Sequence, residues 1–166
     1  KVRHFGVSNQ NPMMMELLKT AVKQPLKVNQ LQLSAAFTPS FEAGFHVNME
    51  GTKAAVRDGS VFEYCRLTDT VIQAWSVLQH GYFKGNFVGK EEFAALNHVL
   101  NDLAKKYQVT PTAIALAWVL RYPGKMQAVI GTTKPQHVLE AGKAATVTLT
   151  RKEWYQIYLA AGNDLP

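Results

Sequence analysis

Val28-Asn29-Gln30-Leu31-Gln32-Leu33 alternates polar and aliphatic side chains. The two-residue period of a β-strand puts Gln30 and Gln32 on one face and Leu31 and Leu33 on the other. Residues 70–76 repeat the pattern, with Gln73 and Trp75 opposite Ile72 and Ala74. An open parallel sheet covered by helices on both sides buries aliphatic residues on both faces. Two strands with one partly polar face fit instead a closed barrel, in which the C-terminal strand ends supply the chemistry. Glutamines satisfied by neighbours or by ordered water would give the same alternation without a ligand.

Working outward, strands are expected over residues 2–7, 27–33, 70–76 and 126–130, alternating with helical patterns, the rhythm of a parallel sheet covered by helices. Asn11-Pro12 supplies a cap and a first-turn proline for a helix whose apolar face is Leu17, Leu18, Ala21 and Val22. The connection over residues 34–69 is long, contains Pro39, Gly44, Gly51 and Gly59, and ends in a short helical pattern around residues 60–67. Long loops after strand ends tend to carry function. A run rich in glycine and aromatics, His80-Gly81-Tyr82-Phe83-Lys84-Gly85-Asn86-Phe87-Val88-Gly89, follows the third strand. One helix then places Phe93, Leu96, Leu100 and Leu103 at helical spacing, and a second starts at Thr110-Pro111 and carries Ile114, Ala117, Trp118 and Arg121. Thr150-Arg151-Lys152-Glu153 reads as a capping box that opens a closing helix of Trp154, Ile157, Tyr158 and Ala161 before Gly162. The C-terminus therefore reads as complete.

Ile130-Gly131-Thr132-Thr133-Lys134-Pro135 carries the most specific local chemistry. Residues 126–129 read as a buried parallel strand, and Pro135 fits the first turn of a helix because its missing N–H is not needed there. The small-residue turn leaves backbone amides free, and the helix dipole together with Lys134 favours an anion such as a phosphate.

At 166 residues the chain has the size of one domain, residues 1–166, and 47% hydrophobic content supports a core. Eighteen basic against twelve acidic residues give a net charge of +6, which admits nucleic acid, membrane surfaces or anionic metabolites. The basic residues are scattered and only Lys105-Lys106 pairs two lysines, with no recognition motif, so a metabolite is favoured over nucleic acid. The lone Cys65 excludes an internal disulfide framework and fits a reducing compartment. No apolar run approaches the roughly 20 residues of a membrane span, and Lys1-Val2-Arg3 opens no secretory pattern, so a soluble cytoplasmic protein is expected. His4, His46, His80, His98 and His137 show no metal-ligand spacing. Cys65 is expected to be packed, and Met13-Met14-Met15 to form a partly packed first helical turn. Neither G-x-S-x-G nor G-x-G-x-x-G occurs, against a hydrolase elbow and a Rossmann domain.

Five motifs in one order, Gly6-Val7-Ser8-Asn9, Val28-Asn29-Gln30, Ala74-Trp75-Ser76-Val77-Leu78, Ala115-Leu116-Ala117-Trp118 and Ile130-Gly131-Thr132-Thr133-Lys134-Pro135, resemble the aldo-keto reductase family. The resemblance covers essentially the whole chain. It implies an α/β fold, the C-terminal half of a TIM-type (β/α)8 barrel: four parallel strands with covering helices and a closing C-terminal helix. It further implies that the catalytic aspartate, tyrosine and lysine belong to an N-terminal half not found here, so no catalytic residue is assigned. Tyr64 and Tyr82 are candidates by type only.

By the same resemblance, Ser8, Asn9 and Gln30 correspond to the residues that hydrogen-bond the nicotinamide carboxamide. Ser8 and Asn9 would otherwise read as helix caps. Trp75 corresponds to the aromatic platform under the nicotinamide ring, against the alternative of a core tryptophan, and its phase with Gln73 favours the platform. Ser76 and Leu78, with the loop through Gly81, match the segment folding over the pyrophosphate, though the family pattern Ser-Pro-Leu-Gly reads Ser76-Val77-Leu78-Gln79 here. Gly131, Thr132, Thr133 and Lys134 match the segment that meets the adenosine 2′-phosphate, implying NADP(H). The family commonly has arginine at the position of His137 and asparagine after Glu140, where this chain has Ala141. His137 and Glu140 are thus expected at an adenosine site with altered contacts. A small carbonyl compound is the substrate implied for the complete enzyme, which would be inactive as this half alone. The expected partner is the missing N-terminal half-barrel or a second copy of the chain. A non-catalytic NADP(H) sensor or regulatory subunit on the same scaffold is the alternative.

Overall fold

In the computed structural model, which describes residues 1–46, 60–81 and 84–165, four strands form one parallel sheet in the order β1-β2-β3-β4. These are β1 (Phe5–Ser8), β2 (Leu26–Gln32), β3 (Val71–Trp75) and β4 (Met126–Ala128). Spatial order follows chain order because each strand returns through helix, as parallel pairing requires. The register sets Ser8 beside Gln30, Gln30 beside Gln73, and Gln73 beside Gln127. The alternation read in residues 28–33 holds in phase but not fully in exposure: Leu31, Leu33, Ile72 and Ala74 are buried on one face, while on the other Gln30, Gln73 and Trp75 are partly covered and Gln32 is buried.

The buried face packs under a layer of helices: α1 (Pro12–Ala21), α2 (Pro39–Phe45), α3 (Val61–Leu67), α4 (Ala94–Tyr107), α5 (Pro111–Leu120), α6 (Pro135–Gly142) and α7 (Arg151–Ala160). Three of them begin as the sequence dictates. Asn11 Oδ1 accepts from Met14 N at 2.9 Å, Thr110 Oγ1 accepts from Ala113 N at 3.2 Å, and Thr150 with Glu153 closes the reciprocal capping box of α7. The middle of the layer is α5, in which every residue of the run Ala113-Ile114-Ala115-Leu116-Ala117-Trp118-Val119 is buried. It is joined to α7 by Trp118 and Trp154, whose rings lie 4.8 Å apart and 9° from parallel. Each indole N–H donates to the other residue's carbonyl, at 3.1 and 3.0 Å, so both polar groups are satisfied in the core.

Several expectations are corrected. The first strand is residues 5–8, not 2–7, and the fourth stops at Ala128. Nor is the fourth strand buried: Gln127, Val129 and Ile130 are exposed, because β4 is an edge of the sheet. On α1 the covered residues are Pro12 and Met15, whereas Leu17 is 65% exposed, because the packing is set by the first turn against Asn29. Phe93 belongs to a 3-10 turn, Glu91–Phe93, ahead of α4. Helix α2 lies inside the connection read as loop, its proline at the first turn. Gly51, Gly59, Tyr82 and Phe83 lie outside the described residues. Cys65 is fully buried, and burial pushes its thiol up to about 11, so it is packed rather than reactive. The methionine run behaves as expected: Met15 is enclosed, and Met13 and Met14 face outward.

Candidate functional site

The C-terminal ends of the strands bring the first cluster together. Asn9 follows β1 in the left-handed conformation, φ 52°, which asparagine tolerates better than most residues, and its N–H donates to Gln30 O at 2.8 Å. This aims the carboxamide across the sheet, where Asn9 Oδ1 accepts from Trp75 Nε1 at 3.4 Å. Ser8 Oγ donates to Gln30 O at 3.3 Å. The turn is held from beneath by Asn29, fully buried on the helix-facing side, which donates to Gln10 O at 2.8 Å and accepts from Gln10 N at 3.5 Å. Asn29 escapes a reading based on alternation because it sits in the aliphatic phase.

Gln30, Gln73 and Gln127 lie at one level of the inner face and form a chain of amides. Gln30 Nε2 donates to Gln73 Oε1 at 2.8 Å, and Gln73 Nε2 donates to Gln127 Oε1 at 2.9 Å. Trp75 stands two residues beyond Gln73 on the same face, paired in register with Gln32.

A second cluster is a cleft of about 530 Å³ whose walls include Ser76, Leu78, Gly131, Thr132, His137 and Glu140. Two loops make it. The first leaves β3 with Ser76 at φ 52° and turns back so that Gln79 N donates to Ser76 O at 2.9 Å and Phe87 N to Leu78 O at 3.1 Å. Its far side is fixed by buried Asn97, which donates to the carbonyls of Phe87, Lys90 and Phe93 and accepts from Gly89 N at 2.7 Å. Gly81 is buried inside this loop rather than in the cleft wall.

The second loop runs from β4 into α6. Lys134 occupies the N-cap position, with Pro135 in the first turn, and its side chain is exposed beside the cleft rather than in its wall. One amide expected to be free is used internally: Lys134 N donates to Thr132 Oγ1 at 3.2 Å. That hydroxyl also meets His137 Nδ1 at 3.4 Å, and Glu140 Oε1 accepts from Gln136 Nε2 at 2.9 Å. Thr133 is exposed and, like Lys134, not part of the wall. Gln79, Asn86 and Thr112 also line the cleft and were missed in the sequence, where nothing in their spacing sets them apart. Because Trp75 and Ser76 are consecutive, the strand-tip cluster and the cleft adjoin.

Tyr64 does lie beside a lysine and a carboxylate, as the sequence alone did not indicate. Its hydroxyl is 2.6 Å from Lys19 Nζ and also hydrogen-bonds Glu16, but this group is carried by α1 and α3, in the helical layer rather than on the face bearing Trp75. Among the described residues no group of three or more His, Cys, Asp or Glu could hold a metal ion, and no helix is long and apolar enough to cross a membrane.

A family model described as "Aldo/keto reductase family" matches residues 1–160. A 6-dehydroglucose reductase of Agrobacterium fabrum is 32% identical, covering 99% of this chain and 49% of that protein. The oxidoreductase YdhF of Escherichia coli is 30% identical, covering 100% of this chain and 50% of its own length. Among solved structures, a thermostable aldo-keto reductase crystallised with the inhibitor epalrestat superposes with a TM-score of 0.67 at 22% identity, covering 95% of this chain and 48% of that one. The aldose reductase of Giardia lamblia gives 0.64 at 19%, covering 93% and 43%. The chain thus spans about half the length of the relatives it matches, and its four parallel strands with their helices form half of their barrel.

Proposed function

Because this chain belongs to the aldo/keto reductase family, we propose that it is the cofactor-binding half of an NADP(H)-dependent reductase of aldehydes or ketones. The observation that carries this reading is the junction, at the consecutive residues Trp75 and Ser76, of the Asn9–Trp75 pair with the cleft whose walls include Thr132 and His137. An extended dinucleotide needs a flat apolar surface with amide partners at one end and cationic or donor groups at the other. The residues present fit that requirement. Trp75 brings a broad aromatic ring whose N–H is tied to Asn9, and Ser8, Asn9 and Gln30 are polar side chains of the kind that pair with a carboxamide. Lys134, His137 and the Thr132 hydroxyl border the far end, beside the N-terminus of α6, where an anion is favoured.

When bound, the nicotinamide supplies the hydride. The chain's own part would be to orient that ring, with Trp75 as the surface it would rest on and Ser8, Asn9 and Gln30 as the side chains that would fix its rotation. Gly131 and Thr132 lie across the cleft from the Ser76–Leu78 turn, so the two loops would hold the pyrophosphate between them and limit its access to water. The proton donor and its lysine and aspartate come from a partner half-barrel, or two copies of the chain cover each other. The covering partner would meet the open edges β1 and β4 and the exposed Phe5, Val129 and Ile130.

The test is titration with NADPH and NADH, followed by quenching of tryptophan fluorescence, for this chain alone and mixed with an N-terminal half-barrel from a relative. NADPH binding at least tenfold tighter than NADH, with carbonyl reduction only in the mixture, is expected. Equal affinities, or no binding of either in any form, would refute the reading.

A further inference from the structure

A second cavity, of about 330 Å³, lies outside the site described above. Its walls come from α2, α3, the turn between α5 and β4, and the first turns of α7. Arg66 stands ahead of β3 and Arg121 ahead of β4, which sets the cavity toward the N-terminal ends of these strands, whereas Ser8, Trp75 and Thr132 stand at the C-terminal ends. None of its lining residues belongs to β1 or β4, the strands that a covering half-barrel would meet.

The floor is aromatic. Phe41 and Tyr122, both buried, stack with ring centres 5.4 Å apart and planes 24° from parallel, and buried Trp154 meets Tyr155 edge-on at 5.1 Å and 86°. The rim is cationic: Arg66, Arg121 and Arg151 line the same cavity and are exposed. Two of them are held in place. Arg121 Nε donates to Leu149 O at 3.0 Å, and the Arg151 guanidinium lies 5.8 Å from the centre of the Tyr155 ring. Among the described residues, no ion pair joins any of the three to a carboxylate. Glu63 is the one acid among the described residues that line the cavity, and its Oε1 accepts from Tyr122 Oη at 3.5 Å. Three guanidinium groups against one carboxylate leave an excess of two positive charges.

We propose that this cavity binds a small aromatic phosphate monoester, with its ring on the aromatic floor and its phosphate at the arginine rim. The volume stands near the lower end of the range for small-molecule sites, about 300–1,000 Å³, and suits a single ring better than a dinucleotide. A phosphate ester loses its second proton at about pH 6 and is doubly charged at neutral pH, which matches the charge excess; an aromatic carboxylate brings only one charge. Guanidinium forks pair with phosphate oxygens two at a time. A ligand held here leaves the strand-tip cluster free, so both sites can be occupied together.

The experiment is calorimetric titration of the chain as it stands with phenyl phosphate, cyclohexyl phosphate, benzoate and inorganic phosphate. Phenyl phosphate should bind about three- to tenfold more tightly than cyclohexyl phosphate, the worth of aromatic packing, and about fivefold or more above benzoate and inorganic phosphate. Its binding should move the Trp154 indole signal and not that of Trp75. Arg121→Gln and Arg151→Gln should each weaken it about tenfold, the loss of a hydrogen bond to a charged group. Lys152→Gln removes the same charge next along α7, outside the cavity wall, and should change the affinity less than about twofold. The ligand series on wild type decides the matter if the arginine variants fail to fold. Equal affinity for the two phosphate esters, benzoate as tight as phenyl phosphate, an equal loss in Lys152→Gln, or no saturable binding overturns the inference. So does movement of the Thr132 and His137 signals in place of Trp154, which would put the ester in the other cleft. None of these outcomes bears on the cofactor reading, which the NADPH titration tests separately.

Discussion

Replacing Glu153 by glutamine should remove an acid-sensitive contribution to the stability of this fold. Glu153 is 7% exposed and accepts four hydrogen bonds: from Lys106 Nζ at 2.5 Å, and from Tyr107 Oη, Thr150 N and Thr150 Oγ1, each at 2.8 Å. Burial alone would raise its carboxyl, but the donors from Lys106, Thr150 and Tyr107 outweigh it and hold the group at about 2, against an ordinary 4.5. A depressed carboxyl contributes stability above the unfolded value and loses it as pH falls through the folded one. The contribution is about 3 kcal/mol at neutral pH, about half of that at pH 3, and under about 1 kcal/mol near pH 2. Glu153→Gln also removes the charge facing Lys106, whose exposed ammonium returns to water at little cost. Urea unfolding followed by far-ultraviolet circular dichroism at pH 7, 4, 3 and 2 should therefore show a gap between wild type and Glu153→Gln that starts at about 2–3 kcal/mol and closes with acid. A gap under about 0.5 kcal/mol at pH 7, or one independent of pH, would refute the reasoning.

Three further outcomes are expected. Trp75→Leu should weaken NADPH at least tenfold in a calorimetric titration while moving the urea midpoint little, because the indole is only partly covered; an unchanged affinity counts against the platform role. Lys134→Ala should reduce the preference for NADPH over NADH by about three- to tenfold at low salt and by less at high salt, since the side chain is exposed and screened; a salt-independent effect would point to packing instead. Ser76→Gly should stabilise the chain by up to about 1 kcal/mol, since Ser76 holds a left-handed φ of 52° that costs a side chain more than glycine; destabilisation would mean that the Ser76 side chain makes a contact outweighing the strain.

Much of the scaffold was legible in residue type. Asn11-Pro12, Thr110-Pro111 and Thr150 with Glu153 mark helix starts because the capping chemistry is local, and all three are realised. The phase of Gln30 against Leu31 revealed which sheet face meets the helices, since a strand fixes that alternation within a few residues. What escaped depends on contacts between distant segments. Leu17 has the right spacing for a core position on α1, yet the helix turns Met15 inward against Asn29. Residues 126–130 have the composition of a buried strand, but an edge position leaves Val129 and Ile130 in water. The site divides in the same way: the polar strand tips and the turn before Pro135 were readable, while Asn29, Asn86 and Thr112 gain their roles only when the loops fold over them.

The central claim is that one dinucleotide lies along both clusters, and amide chemical-shift mapping during a titration with NADP⁺ tests it most directly. The signals of Ser8, Asn9 and the Trp75 indole should move together with those of Gly131, Thr132 and His137, with a single dissociation constant and one equivalent bound. Movement of one cluster without the other, or two independent saturations, would contradict it.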